Sequence, residues 1–404
     1  KNRITAASTQ IDVKTAKAAL FPSLSFSTSQ QVVNRPYQET SSRVSGSEII
    51  SSNSKTSYNG NYGLNASWTL YNGNKRLKTI QQEKLNNQVA ELDVATSENN
   101  IQESIAQVYI QILYAAESVK VNESTLQVSI AQRDRGQELL NAGSIAKSDF
   151  AQLEAQVSTD RYQLVTAQAT LEDYKLQLKQ LLELDGENEM NIYLPALSDE
   201  NVLAPLPTKK DVYISALSLR PEIEASKLNV EASELGIGIA KSSYLPTISL
   251  SAGIGTNHTS GSDFTFGEQV KNGWNNSIGL SVSVPIFNNR QTKSAVQKAK
   301  LQYETSMLSL LDEQKTLYKT IEGLWLDANS AQQRYAAANE KLKSTQISYE
   351  LISEQFNLGM KNTIELLTEK NNLLQAQQEQ LQAKYMAILN TQLLKFYQGD
   401  KLAL

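Results

Sequence analysis

His258 is the only histidine among 404 residues, and there is no cysteine. Structural zinc sites draw on several His or Cys ligands, so one histidine cannot supply a familiar metal centre. A thiol nucleophile is absent, and a Ser–His–acid relay would rest on a single imidazole. His258 itself falls in or near the loop after a strand, as a solvated side chain. No Gly-x-x-x-x-Gly-Lys-Ser/Thr run is present, which removes P-loop nucleotide binding. Gly236-Ile237-Gly238 lies inside a helical pattern and follows no strand, so it marks no dinucleotide site. The charges, 38 Lys+Arg against 42 Asp+Glu, leave a net of −4 and no basic footprint for nucleic acid. The expectation is a protein that is not an enzyme and has no catalytic, cofactor-binding or metal-ligating residue. Attention moves to two short turns, Asn141-Ala142-Gly143-Ser144 and Asn357-Leu358-Gly359-Met360, where glycine follows a long helical pattern as a C-terminal stop.

Proline placement shows what those turns join. None of the eight prolines falls between residues 37 and 194, and none follows Pro285. Interior proline breaks an α-helix, so these blanks are where long helices can form. The first blank carries Ile101, Ile105, Val108 and Ile112 at helical spacing, then Val119, Leu126 and Ile130. The second carries Leu301, Leu308, Leu311, Ile321, Leu324 and Ala328. These narrow stripes resemble coiled-coil seams. Helices over 74–140 and 290–357 would each run roughly 100 Å at 1.5 Å per residue, which predicts an elongated molecule. Shorter helices follow over 145–184 and 362–397, and the short turns predict antiparallel hairpins.

Strands are expected over about 22–33, 57–71, 246–257 and 274–287. Tyr58, Tyr62, Leu64, Ala66, Trp68 and Leu70 alternate with Asn59, Asn61, Gly63, Asn65, Ser67 and Thr69. Ile248, Leu250, Ala252 and Ile254, and then Ile278, Leu280, Val282 and Val284, alternate with Ser and Gly. A soluble sandwich shows the same period of two. Three features favour a membrane barrel instead. The non-apolar face is Ser, Asn and Gly without Lys or Glu. Aromatics (Phe21, Tyr58, Trp68, Tyr71, Trp274, Phe287) stand near strand ends, as in membrane girdles. About 12 residues also suffice to cross a bilayer when tilted. Open edges are not tolerated in lipid, and an aqueous lumen needs more than eight strands. Self-association follows, with 12 or 16 strands.

The chain also repeats at an offset of about 220 residues. "AKAALFPSLS" matches "AKSSYLPTIS", Gly63–Asn72 matches Gly279–Asn288, and Glu138–Gly143 matches Glu354–Gly359. The first repeat is read as 1–207, ending in a polar, Pro-rich linker over 185–207 placed outside the helical body. The second is 208–404, opening with a helix over 209–243.

With these motifs in this order, the chain resembles the TolC family of bacterial outer-membrane efflux ducts. The resemblance is carried by "AKAALFPSLSFS", "AKSSYLPTISLS", "IGLSVSVPIFNN", "LLNAGSIAKSDF" and "QFNLGMKNTIEL" and covers essentially the whole chain. It implies a mainly α protein with membrane β: a homotrimer whose 12-stranded outer-membrane barrel continues into a 12-helix periplasmic barrel. It implies an exit duct of a tripartite pump for small toxic molecules, with outer-membrane lipid, a periplasmic adaptor and an inner-membrane transporter as partners and no cofactor. The exit duct of a type I protein secretion system is the alternative, as is a trimeric coiled-coil surface protein with a barrel anchor. The signal peptide and natural N-terminus are expected ahead of Lys1. By the same resemblance Asn141, Gly143, Ser144, Asn357, Gly359 and Met360 form an adaptor-docking tip. Glu365 falls on an acidic ring narrowing the mouth, with Asp149 its repeat-related counterpart. Thr368 replaces a second ring acid, with Glu369 beside it. Lys361 matches a basic gate position that pairs, in the family, with the acid at Asp149.

Overall fold

The structure, a computed structural model, describes residues 1–37, 41–45, 48–52, 55–184, 192–193, 202–262 and 264–402. It is mostly helical with one main sheet. In chain order the elements are α1 (Asn2–Ala18), β1 (Ser23–Asn34), β2 (Ser41–Ser45), β3 (Glu48–Ser52), β4 (Thr56–Asn72), α2 (Lys75–Asn141), α3 (Lys147–Leu181), α4 (Lys209–Leu219), α5 (Pro221–Ser242), β5 (Thr247–Thr259), α6 (Phe266–Asn272), β6 (Asn275–Ser283), α7 (Gln291–Asn357) and α8 (Thr363–Gln398). The chain divides into two compact units: residues 1–92 with 225–310, and residues 93–224 with 311–404.

The first unit holds the sheet, an antiparallel set in the order β1-β4-β5-β6. Its register lines up one kind of side chain on each face. Leu24, Ala66, Ala252 and Ile278 stand in one cross-strand row, and Trp68, Leu250 and Leu280 in another. The opposite face carries Ser25, Asn65, Gly253 and Ser277, then Ser27, Gly63, Gly255 and Asn275. The apolar face is uncovered: Leu24 is 70% exposed, Phe26 68%, Ile278 79% and Leu280 65%. Burying such side chains is worth about 1.5–3 kcal/mol each, so a sheet that leaves them out demands a non-aqueous neighbour. Trp68 is anchored at the helix-side end, its Nε1–H donating to Leu20 O at 2.7 Å.

The second unit holds the packed helical core. Ile112, Ile321, Leu366 and Leu394 are wholly or almost wholly buried, with Ile110, Leu113, Ala328 and Leu393 beside them. Part of the expected seam is not covered by the chain itself. Ile101 is exposed here, as are Leu301 and Leu308 in the first unit and Leu311 in the second.

Four sequence expectations need correction. The helix expected over 209–243 is two helices, because the residue before a proline is pushed out of the α region; Arg220, ahead of Pro221, sits at φ −75°, ψ 124°. The last strand ends at Ser283 rather than 287, since Pro285 has no N–H for a ladder. The hairpin β2–β3 and the short helix α6 were not foreseen. The described end of the linker is irregular but lies on the helical body. Val202 is fully buried, Gln332 Nε2 donates to Val202 O and Ala204 O at 3.0 and 2.8 Å, and Trp325 Nε1 donates to Pro207 O at 3.0 Å. Most of the linker, like residues 38–40, lies outside the described residues. No described helix is long and apolar enough to cross a membrane.

Candidate functional site: the two helix-hairpin turns

Both turns close as the same six-residue motif. Gly143 has φ +73° and Gly359 φ +75°. Gly143 N donates to Leu140 O at 3.0 Å and Ser144 N to Leu139 O at 2.8 Å. Gly359 N donates to Phe356 O and Met360 N to Gln355 O, both at 2.9 Å. This is the paired bond pattern that satisfies the last carbonyls of a helix when glycine supplies the left-handed residue. A Cβ added at either glycine would meet no atom within 4 Å, so the turns present bare backbone to open space. Asn141, Ser144 and Asn357 are exposed. Around the second turn Leu358, Met360 and Ile364 are 69, 70 and 62% exposed, an apolar rim that the chain leaves uncovered.

The expected gate charges are built into the helix starts. Asn362 caps α8: its Oδ1 accepts from Glu365 N at 2.9 Å, and Glu365 Oε2 accepts from Asn362 N at 3.1 Å. Lys361 Nζ reaches Glu365 Oε1 at 2.6 Å, and this bond, then the Asn362 amide, holds the exposed carboxyl below its ordinary value. Asp149 accepts from Ala146 N at 3.3 Å at the start of α3. Glu369 accepts from Ser348 Oγ on α7 at 3.0 Å. Within the chain Lys361 is therefore joined to Glu365, and among the described residues no bond links Lys361 to Asp149.

Sequence reading missed a buried polar cluster roughly two to four turns into these helices from the hairpin turns. Lys370 of α8 pairs with Asp160 of α3, and Ser129 of α2 bonds to both. Lys370 is 3% exposed and Asp160 1%. Burial lowers the lysine's proton affinity while the carboxylate opposes that effect. A signal was present: Asp160 follows Val157 on the apolar stripe of α3, and Lys370 lies between Leu366 and Leu373 on that of α8. His258 was also misplaced. It lies in β5, half-buried, stacked 6.1 Å from Tyr62 and edge-on to Phe266 at 5.2 Å, because the strand runs to Thr259.

A sheet with a bare apolar face joined to long helical hairpins is a fold suited to a membrane on its sheet side. The chain belongs to the outer membrane efflux protein family, whose model matches residues 2–183 and 212–399. It is 24% identical over 294 residues to outer membrane efflux protein BepC of Brucella suis biovar 1 (strain 1330), covering 72% of this chain and 61% of the relative. It is 23% identical over 311 residues to outer membrane protein TolC of Escherichia coli (strain K12), covering 75% and 62%. The chain thus spans about three-fifths of the length of these curated relatives. The CmeC outer membrane channel of Campylobacter jejuni superposes with a TM-score of 0.78 at 18% identity, over 100% of this chain and 83% of that one. The protein is an outer-membrane protein with a periplasmic helical body.

The register makes a direct check on the two sheet faces possible. Leu280 and Ser281 are adjacent in β6 and face oppositely. Lys at Leu280 is expected to lower folding stability in lipid vesicles by about 2–4 kcal/mol if it sits near the bilayer centre, and Ser281→Lys by far less. Urea titration of vesicle-folded protein reads the difference; equal costs would mean the apolar face does not meet lipid.

Proposed function

We propose that this protein is the outer-membrane exit duct of a tripartite efflux pump. Three copies would close the β1 and β6 edges into one 12-stranded barrel and assemble a 12-helix periplasmic barrel, each copy built from repeats over 1–207 and 208–404. The observation that carries the reading is the uncovered apolar sheet face opposite a face of Ser, Asn and Gly. Lipid satisfies the first, and a wet lumen suits the second. The seam residues exposed in one copy give the neighbouring copies a surface to cover. The hairpin turns are the end that meets a periplasmic adaptor, and an inner-membrane transporter supplies the energy. The exported cargo is small toxic molecules.

In this reading Asp149, Lys361 and Glu365 form threefold rings at the tunnel mouth, with Glu369 behind them. Each exposed pair is worth about 0.2–1 kcal/mol. Three broken together shift a closed–open balance by roughly 1–3 kcal/mol, about five- to 150-fold. The test is native mass spectrometry of the detergent-purified protein, followed by single-channel recording in planar bilayers. Three copies and discrete conductance steps are expected, with larger steps for Lys361→Ala and for Asp149→Ala. Glu365→Ala should lose cation selectivity. A folded monomer or a non-conducting protein overturns the duct; unchanged conductance in the first two variants overturns the gate.

A further inference from the structure

The charges that border the sheet are divided between its two ends. On the helix side, the ten residues next to each strand are 13–22, 73–82, 237–246 and 284–293. They contain Lys14, Lys17, Lys75, Arg76, Lys78, Lys241, Arg290 and Lys293 and not one Asp or Glu. In a chain with more acids than bases, forty residues without a carboxylate are a marked local bias. The connections at the other end, 35–55 and 260–274, hold four bases and four acids: Arg35, Arg43, Lys55 and Lys271 against Glu39, Glu48, Asp263 and Glu268. Two of the eight cations serve the fold. Arg76 donates to Ala19 O and Thr69 O, and Lys78 Nζ to Gly238 O at 3.2 Å. The other six, Lys14, Lys17, Lys75, Lys241, Arg290 and Lys293, are exposed. Next to them stand the exposed Phe21, Tyr244, Leu245 and Phe287, amphipathic and apolar groups of the kind that mark a membrane boundary.

We propose that these six cations form a collar that binds anionic phospholipid headgroups of the periplasmic leaflet. The collar is continuous with the apolar sheet face, so it falls at the depth where that leaflet places its phosphates. Ammonium and guanidinium groups complement phosphate there, and their attraction acts within a Debye length of the surface. The inference rests on the sheet standing in the bilayer with the helices on its periplasmic side. Its consequence is preferential retention of anionic over zwitterionic lipid around this end of the protein.

The test uses the purified full chain in nanodiscs of phosphatidylethanolamine with one-fifth phosphatidylglycerol. Retained lipid is counted by native mass spectrometry, and insertion is checked by quenching of tryptophan by brominated lipid. The wild type should hold phosphatidylglycerol several-fold above its bulk ratio, and 0.5 M salt should erase that excess. Lys14→Gln/Lys17→Gln and Lys241→Gln/Lys293→Gln should each cut the excess at least twofold, while Arg35→Gln/Lys271→Gln should leave it intact. An inserted protein with no excess, or an excess untouched by both helix-side pairs and by salt, overturns the collar alone. A shift in ion selectivity with unchanged lipid retention also overturns it, since the cations would then face the lumen. Absence of quenching would instead remove the membrane reading beneath it.

Discussion

Gly359→Trp is expected to bring efflux down to the level of a deletion strain while the protein still reaches the outer membrane as an assembled oligomer. The two halves of this expectation have separate causes. The residue sits at φ +75°, where a non-glycine side chain costs about 1–2 kcal/mol. Nothing lies within 4 Å of an added Cβ, so the first carbon of the new side chain adds no clash. That strain is small against a helical hairpin held by the buried residues behind it. The proposed docking surface is expected to be affected far more. Close approach of a partner helix to bare backbone is what glycine permits, and an indole fills that space in every copy at once. Gly359→Ala should retain most export, because it carries the strain without the bulk. Drug susceptibility paired with outer-membrane quantification decides the matter. Normal export by the tryptophan variant would mean that the turn is no dock, and failure to assemble would mean that Gly359 is a cap and nothing more.

Asp160→Ala is expected to destabilise the helical body by about 3–5 kcal/mol, since it leaves Lys370 buried without its counter-charge. Replacing both partners with apolar residues of similar size, as in Lys370→Met with Asp160→Leu, should restore stability to the wild-type level or above it. The pair is thus a poor source of stability and a strict demand on register, because it joins α3 to α8 at one setting. Thermal unfolding of the helical circular-dichroism signal gives the comparison. If the double variant is as unstable as the single one, the cluster contributes through packing rather than through charge.

Much of this architecture was legible because it obeys short-range rules. The alternation through Trp68, Leu250 and Leu280 gave the strands and their faces, and glycine after a long proline-free stretch gave both turns. The features that escaped depend on neighbours distant in sequence. A charge on an apolar stripe, such as Asp160, reads as a solvated residue until the opposite charge on another helix is found. Arg220 shows the same limit. Its position before Pro221 held the signal for a break that the expected single helix over 209–243 passed over, and its guanidinium is held by Glu103 at 3.2 Å and lies 4.1 Å from the Tyr397 ring centroid, on residues far along the chain. His258 was read as in or near the loop because the alternation fades before Thr259; β5 runs to Thr259 and packs His258 against Tyr62 and Phe266. The docking and gate assignments came from resemblance rather than from residue chemistry, since an exposed lysine or glutamate at a helix start has many ordinary uses.

The sheet order carries a consequence for how the molecule comes into being. β4 and β5 are neighbours, yet Asn59 pairs with Thr259, 200 residues later. The β1–β4 hairpin can form early from nearby sequence, but its inner edge must wait until α2 through α5 have emerged. Closing so long a loop adds little thermodynamic cost, because that cost grows only with the logarithm of length. It slows the search, as non-local pairings do. During the wait an apolar two-stranded edge is open to pairing with any other strand. Nascent chains of this protein are therefore expected to pass through an aggregation-prone interval until β5 arrives.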